Sequence, residues 1–137
     1  MKNFLIAVSI LFAAAINTSF TASQAEKEIK VTVKYSFKGI EEGYDHDTRT
    51  ELYIDDELAA TSTVKKESKP NSVTAVTTKG KHTIRVINQA LYEGAWEDHT
   101  IANNYSIDCL YEAEINVKKT LTIQLLFDLD GETKRVK

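Results

Sequence analysis

From Tyr105 to Leu129 the chain keeps a period of two almost without interruption, and that regularity constrains the fold more than any other feature. Tyr105, Ile107, Cys109, Tyr111, Ala113 and Ile115 alternate with Ser106, Asp108, Leu110, Glu112 and Glu114. After a polar break at Asn116 to Lys119, Leu121, Ile123, Leu125, Phe127 and Leu129 repeat the pattern. Side chains two apart share one face of a strand, so each run has one apolar side to bury and one to leave in water. The spacing predicts an antiparallel hairpin with a buried face.

The same reading extends upstream. Ile29, Val31, Val33, Tyr35 and Phe37 alternate with Lys30, Thr32, Lys34, Ser36 and Lys38, which predicts a half-buried strand. Lys30, Lys34 and Lys38 on its wet face suggest an edge strand guarded by charge, open to a partner strand. A short strand through Thr50, Leu52 and Ile54 precedes a turn at Asp55 to Glu57, and Leu58 to Val64 returns. Beyond the Pro70 loop come Ser72 to Thr78, a tight turn at Lys79 to Lys81, and His82 to Asn88. No helical period of useful length occurs after residue 26. The expectation is an all-β chain: a single antiparallel β-sandwich of seven to eight strands.

The first 25 residues read differently. Lys2 precedes an apolar run from Phe4 to Ile16, too short for a membrane anchor, and Ser23-Gln24-Ala25 places small residues where a signal peptidase cleaves. This predicts a signal peptide over 1–25, a mature domain over 26–137, and a periplasmic or extracellular location. No cysteine stands near the cleavage point and no later apolar run is long enough to span a bilayer, so neither a lipid anchor nor a membrane span is expected. Asn104-Tyr105-Ser106 matches a glycosylation acceptor, which carries little weight in a chain whose leader has a bacterial look. Lys and Arg number 17 against 20 Asp and Glu, which gives no basic stripe for nucleic acid. Cys109 is the single cysteine and falls on an apolar face, so it reads as an inert buried thiol.

If successive strands run antiparallel, and 91–104 is a loop or an internal hairpin, the long connections 39–47, 65–71 and 90–104 and the exit after Leu129 gather at one end. Binding residues favour such positions. Tyr44, His46, Tyr92, Trp96, Glu97 and His99 are therefore the candidate ligand-binding residues, for a protein or glycan partner. Trp96 has two readings: an aromatic platform for a sugar ring or peptide, or a plug in the open end of the sandwich. Asp45, Asp47, Asp98, Asp128 and Asp130, with Glu41, Glu42 and Glu132 nearby, form oxygen-rich loops that suit Ca2+ as an alternative. No nucleophile elbow, zinc-protease motif or phosphate-binding loop is present, so a non-catalytic module is expected.

Within Glu51 to Val86, a strand ending in Asp55-Asp56, a small-residue return strand and Gly80-Lys81-His82-Thr83-Ile84-Arg85-Val86 resemble the turn, strand and G-x-H-x-I-x-V pattern of PEGA-type and related immunoglobulin-like sandwich modules of bacterial envelope proteins. The glycine of that pattern is Asp56 here, and the Pro-Glu-Gly-Ala motif is missing. The resemblance implies an immunoglobulin-like, non-catalytic sandwich.

Overall fold

A computed structural model describes residues 23–137; most of the expected leader, 1–22, lies outside the described residues. The described residues form ten strands: β1 (Ile29–Lys38), β2 (Asp47–Ile54), β3 (Glu57–Thr61), β4 (Lys65–Lys66), β5 (Asn71–Thr77), β6 (Gly80–Tyr92), β7 (Ala95–Asp98), β8 (Leu110–Val117), β9 (Leu121–Asp128) and β10 (Thr133–Val136), with one short 3-10 turn at Ile101–Asn103. They make two sheets. The first has the order β10-β9-β1-β5; the second has β3-β2-β6-β7, with β4 also on β2 and β8 also on β6. Two sheets facing each other across an apolar layer make this a β-sandwich. The count exceeds the expected seven to eight because β4, β7 and β10 are too short to show a period.

The core follows the alternation. Val31, Val33 and Tyr35 of β1, Ile123, Leu125 and Phe127 of β9, and Val73 and Ala75 of β5 face Leu52, Ile54, Ile84, Val86, Ile107 and Cys109 of the other side. Fully burying each such aliphatic or aromatic side chain stabilises by about 1.5–3 kcal/mol. The buried polar groups inside the second sheet are mutually satisfied. Thr48 donates to Asn88 Oδ1 at 2.7 Å, and Asn88 Nδ2 donates to Thr50 Oγ1 and to the Arg49 carbonyl.

Two pairing expectations are corrected. The run 105–129 is not a hairpin. β8 joins the second sheet, antiparallel to β6 from Gly80↔Val117 to Ile87↔Leu110, whereas β9 joins the first, parallel to β1 and antiparallel to β10. The residues between β8 and β9 therefore cross from one sheet to the other. The reason is the length of β6, 13 residues: β7 occupies only its far end, and β8 fills the edge left open. The parallel β1/β9 pair also makes the first sheet mixed rather than purely antiparallel. Second, β1 is no edge strand, because it lies between β9 and β5; its lysines face water from the middle of the sheet. The edge in the first sheet beside β1 belongs to β5.

Both two-residue turns at hairpin tips hold positive φ at each central position, Asp55 and Asp56 at 52° and 66°, Glu93 and Gly94 at 48° and 82°. That conformation matches the right-handed twist of the flanking strands. The second turn closes the internal hairpin β6/β7 within what the sequence showed as a long connection.

Candidate functional site

Strand directions place the connections 39–46, 62–70 and 129–132, together with the β6/β7 turn, at one end of the sandwich, and the segment 99–106 folds over the same end. A cavity of about 240 Å3 opens there, lined from each long connection: Gly39, Glu41, Tyr44 and His46; Glu67; His99, Asn104, Tyr105 and Ser106; Leu129 and Asp130. A second cavity of about 270 Å3 adjoins it, sharing Tyr44, His46, Asn104 and Tyr105 and adding Tyr92, Glu97 and Asn103. Each is far larger than the ~10–15 Å3 that one water requires. Each is also just below the ~300–1,000 Å3 of sites for whole drug-sized ligands, so one side chain or one sugar ring is the scale that fits.

Glu67 and His99 form the buried wall. Glu67 is 2 % exposed and His99 3 %. Glu67 Oε1 and His99 Nδ1 stand 3.2 Å apart, yet they are not aligned for a hydrogen bond, and neither atom has another partner. Glu67 is carried inward by β4, whose two residues pair with Thr48 and Asp47 of β2, and its own N–H donates to the His46 carbonyl at 3.0 Å. Asp45 secures the next residue, accepting from Ser68 N at 3.0 Å and Ser68 Oγ at 2.6 Å; those bonds hold its carboxyl below the usual range. Across the cavity, the His99 ring lies 4.2 Å from Tyr105 and 5.9 Å from Phe37. Tyr105 donates its hydroxyl to Glu97 Oε1 at 2.8 Å. Its phenol is pushed well above the usual range by burial first, then by the Glu97 bond and the charges of Glu97 and Glu67. Gly39, at φ 81°, lets β1 turn tightly against the last loop: a Cβ there would stand 2.6 Å from Asp130 Oδ2.

Of the six candidate ligand-binding residues, Tyr44, His46 and His99 line the first cavity, and Tyr92 and Glu97 join Tyr44 and His46 at the second. Trp96 is elsewhere, neither plug nor platform at the loop end. It sits half-buried on the outer face of the second sheet with the Arg49 guanidinium 4.5 Å from its ring centroid. Strand parity explains this: Trp96 and Glu97 are neighbours in β7 and must point to opposite faces. The open end is filled instead by Phe37, His99 and Tyr105.

The structure does not gather the candidate metal carboxylates. Asp47 pairs with Lys66 at 3.1 Å, and Asp98 accepts from Gln89 Nε2 at 3.0 Å. Asp128 contacts Lys134 at 3.3 Å and Lys38 at 3.6 Å. Burial works against the charge of Asp128, but the Lys134 bond and the two lysine charges outweigh it and hold the carboxyl low. Asp45 is committed to Ser68, and Asp130 alone of the five reaches the first cavity. Glu67 and Tyr105 were not legible as site residues. The first sits in the charged run Lys65-Lys66-Glu67-Ser68-Lys69, and the second fits the periodicity as an ordinary core position.

The fold and this end of it define an all-β sandwich with a loop-built polar cavity. No protein-family model matches the chain, and no curated protein aligns with it.

Proposed function

We propose that this chain is an exported, non-catalytic sandwich module, immunoglobulin-like in plan, that binds a segment of peptide or glycan at its loop end. One observation carries this reading: four separate connections converge on a cavity walled by Glu67 and His99, two buried polar groups left without a hydrogen-bond partner at facing atoms. A scaffold with no ligand has every reason to satisfy or replace such groups, as it does at Thr48, Thr50 and Asn88. The exposed rings of Tyr44 and Tyr92 at the rim supply contact area with a polar tip. The only thiol is buried away from solvent, which favours binding over nucleophilic chemistry. Its place is the periplasm or the exterior, following the leader.

The test has two arms. Export of the full chain from a bacterial host, followed by N-terminal sequencing, should give a product starting at Glu26; retention of Met1 in the cytoplasm overturns the exported reading. Amide NMR of that product, titrated with envelope glycan fragments and a random peptide pool, should move signals of 39–46, Glu67 and 97–106, and Tyr44→Ala with Tyr92→Ala should weaken the response. Shifts at none of these positions overturn the binding reading.

A further inference from the structure

We propose that the group bound at the loop end is an organic cation, a guanidinium or ammonium carried by a peptide side chain or a small free amine. This rests on the binding reading above and narrows it to one chemistry.

The charge inventory comes first. Glu41, Glu67 and Asp130 line the first cavity and Glu97 the second; no lysine or arginine lines either, and the imidazoles present are His46, at both, and His99, at the first. Elsewhere this protein matches acids with bases, as at Asp47 with Lys66, Glu114 with Lys81 and Asp128 with Lys38 and Lys134. Here the acids stand without a lysine or arginine partner. Acids alone on a surface are ordinary, but Glu67 is not on the surface. Its carboxylate is buried beside the His99 imidazole, whose Nδ1 stands 3.2 Å from Oε1 but is not aligned to donate to it. Burying that oxygen without an aligned donor is costly, and a ligand bringing N–H donors with positive charge is the direct remedy. A guanidinium presents five N–H groups in a planar fork and no acceptor, so it suits carboxylates and adds no unmatched lone pair.

The walls fit the same ligand. Tyr105, Tyr44 and Tyr92 place three aromatic rings around the shared mouth, and the negative face of such a ring attracts a cation. The raised phenol of Tyr105 reflects burial together with the negative charges of Glu97 and Glu67, the same field a cation would meet. An anionic ligand would face four acidic side chains, and a neutral sugar would bring no charge complementary to them. The cavities also match one side chain rather than a folded surface.

The experiment is an amide and side-chain NMR titration of the exported protein with acetyl-arginine methylamide, with its neutral isostere acetyl-citrulline methylamide, with agmatine, and with methyl glucoside. The arginine compound should shift His46, Glu67, Asn104 and Tyr105 saturably, and the citrulline compound at least tenfold more weakly. Agmatine binding more tightly than the arginine compound points to a free amine as the source, and the reverse to a peptide; both uphold the cation. Glu67→Gln should weaken arginine binding at least tenfold. Should that variant fail to fold, Glu97→Gln, at the more open wall, carries the same expectation. Equal affinity for arginine and citrulline, or no loss in a folded Gln variant, overturns the inference. If methyl glucoside moves these signals and the cations do not, the inference falls while the binding reading stands. If no compound moves them, both fall.

Discussion

Glu67 Oε1 lies 3.2 Å from His99 Nδ1, with both side chains almost completely buried and neither atom hydrogen-bonded. The sandwich has thus enclosed a carboxyl and an imidazole at its loop end without completing their hydrogen bonds, a strain that a purely structural module could remove by substitution.

That relationship predicts a stability pattern. Glu67→Leu or His99→Phe alone leaves the other group buried and uncompensated, and each should cost about 3–5 kcal/mol. The double variant should be at least as stable as the parent, with a gain of up to about 4 kcal/mol, because the Phe ring keeps the packing against Tyr105 and Phe37. Urea unfolding of the four proteins measures this. Additive losses in the double variant would show that the two groups do not act as a pair.

At the opposite end, His82 Nδ1 meets Asp55 Oδ2 at 2.6 Å and Nε2 meets the Thr78 carbonyl at 2.9 Å. Both ring nitrogens face acceptors, so the doubly protonated imidazolium is the favoured form. The Asp55 bond raises the His82 pKa against the opposing effect of burial, and the bonds from His82 and from Thr83 N–H lower that of Asp55. The raised histidine contributes stability fully below the ordinary value of about 6.5 and loses it as pH rises through its higher folded value. The lowered aspartate contributes fully above about 3.9 and loses its part as pH falls through its lower folded value. Denaturation midpoints should therefore fall on going from pH 6 to pH 9, and His82→Gln should lack this component of the fall. An identical pH profile in both proteins would rule the contact out as its source.

Asp55 and Asp56 share a left-handed turn but not a role. Asp55 accepts from Thr83 N–H and from His82, whereas the Asp56 side chain makes no hydrogen bond among the described residues. Left-handed backbone costs a non-glycine residue about 1–2 kcal/mol, part of which glycine returns through unfolded-state entropy. Asp56→Gly should stabilise by about 0.5 kcal/mol, and Asp55→Gly should destabilise by removing both acceptors. Thermal unfolding of the two variants gives the comparison; a rise for both or a fall for both would contradict it.

Cys109 is fully buried, and burial, followed by the charges of Glu67 and Asp108, pushes its thiol well above the ordinary range. An aromatic disulfide reagent should leave the native protein unlabelled at pH 8 and react with one thiol once urea unfolds it. Rapid labelling of the native state would mean that the segment 107–110 opens locally.

The alternation of apolar residues was enough to read an all-β sandwich and its inward residues, because the direction of a side chain from a strand is a local property of period two. Val31, Val33, Ile123, Leu125 and Phe127 all lie where that period puts them. The gathering of long connections at one end was legible only on the condition that 91–104 is a loop or an internal hairpin; β7 and β8 both run antiparallel to β6, and the return of 99–109 between them keeps the connections together. Pairing was not. β8 goes to β6 and β9 to β1 because hydrogen-bonding edges are claimed by segments distant in sequence, and each strand's own pattern is the same whichever neighbour it takes. Trp96 shows the same limit at one residue: it drew notice as the sole tryptophan, yet its position in β7 turned it outward to Arg49. Glu67 is the clearest case. Nothing in Lys65-Lys66-Glu67-Ser68 separates it from a solvated loop; two residues of pairing with β2 and the hold of Asp45 on Ser68 are what carried that carboxylate inside.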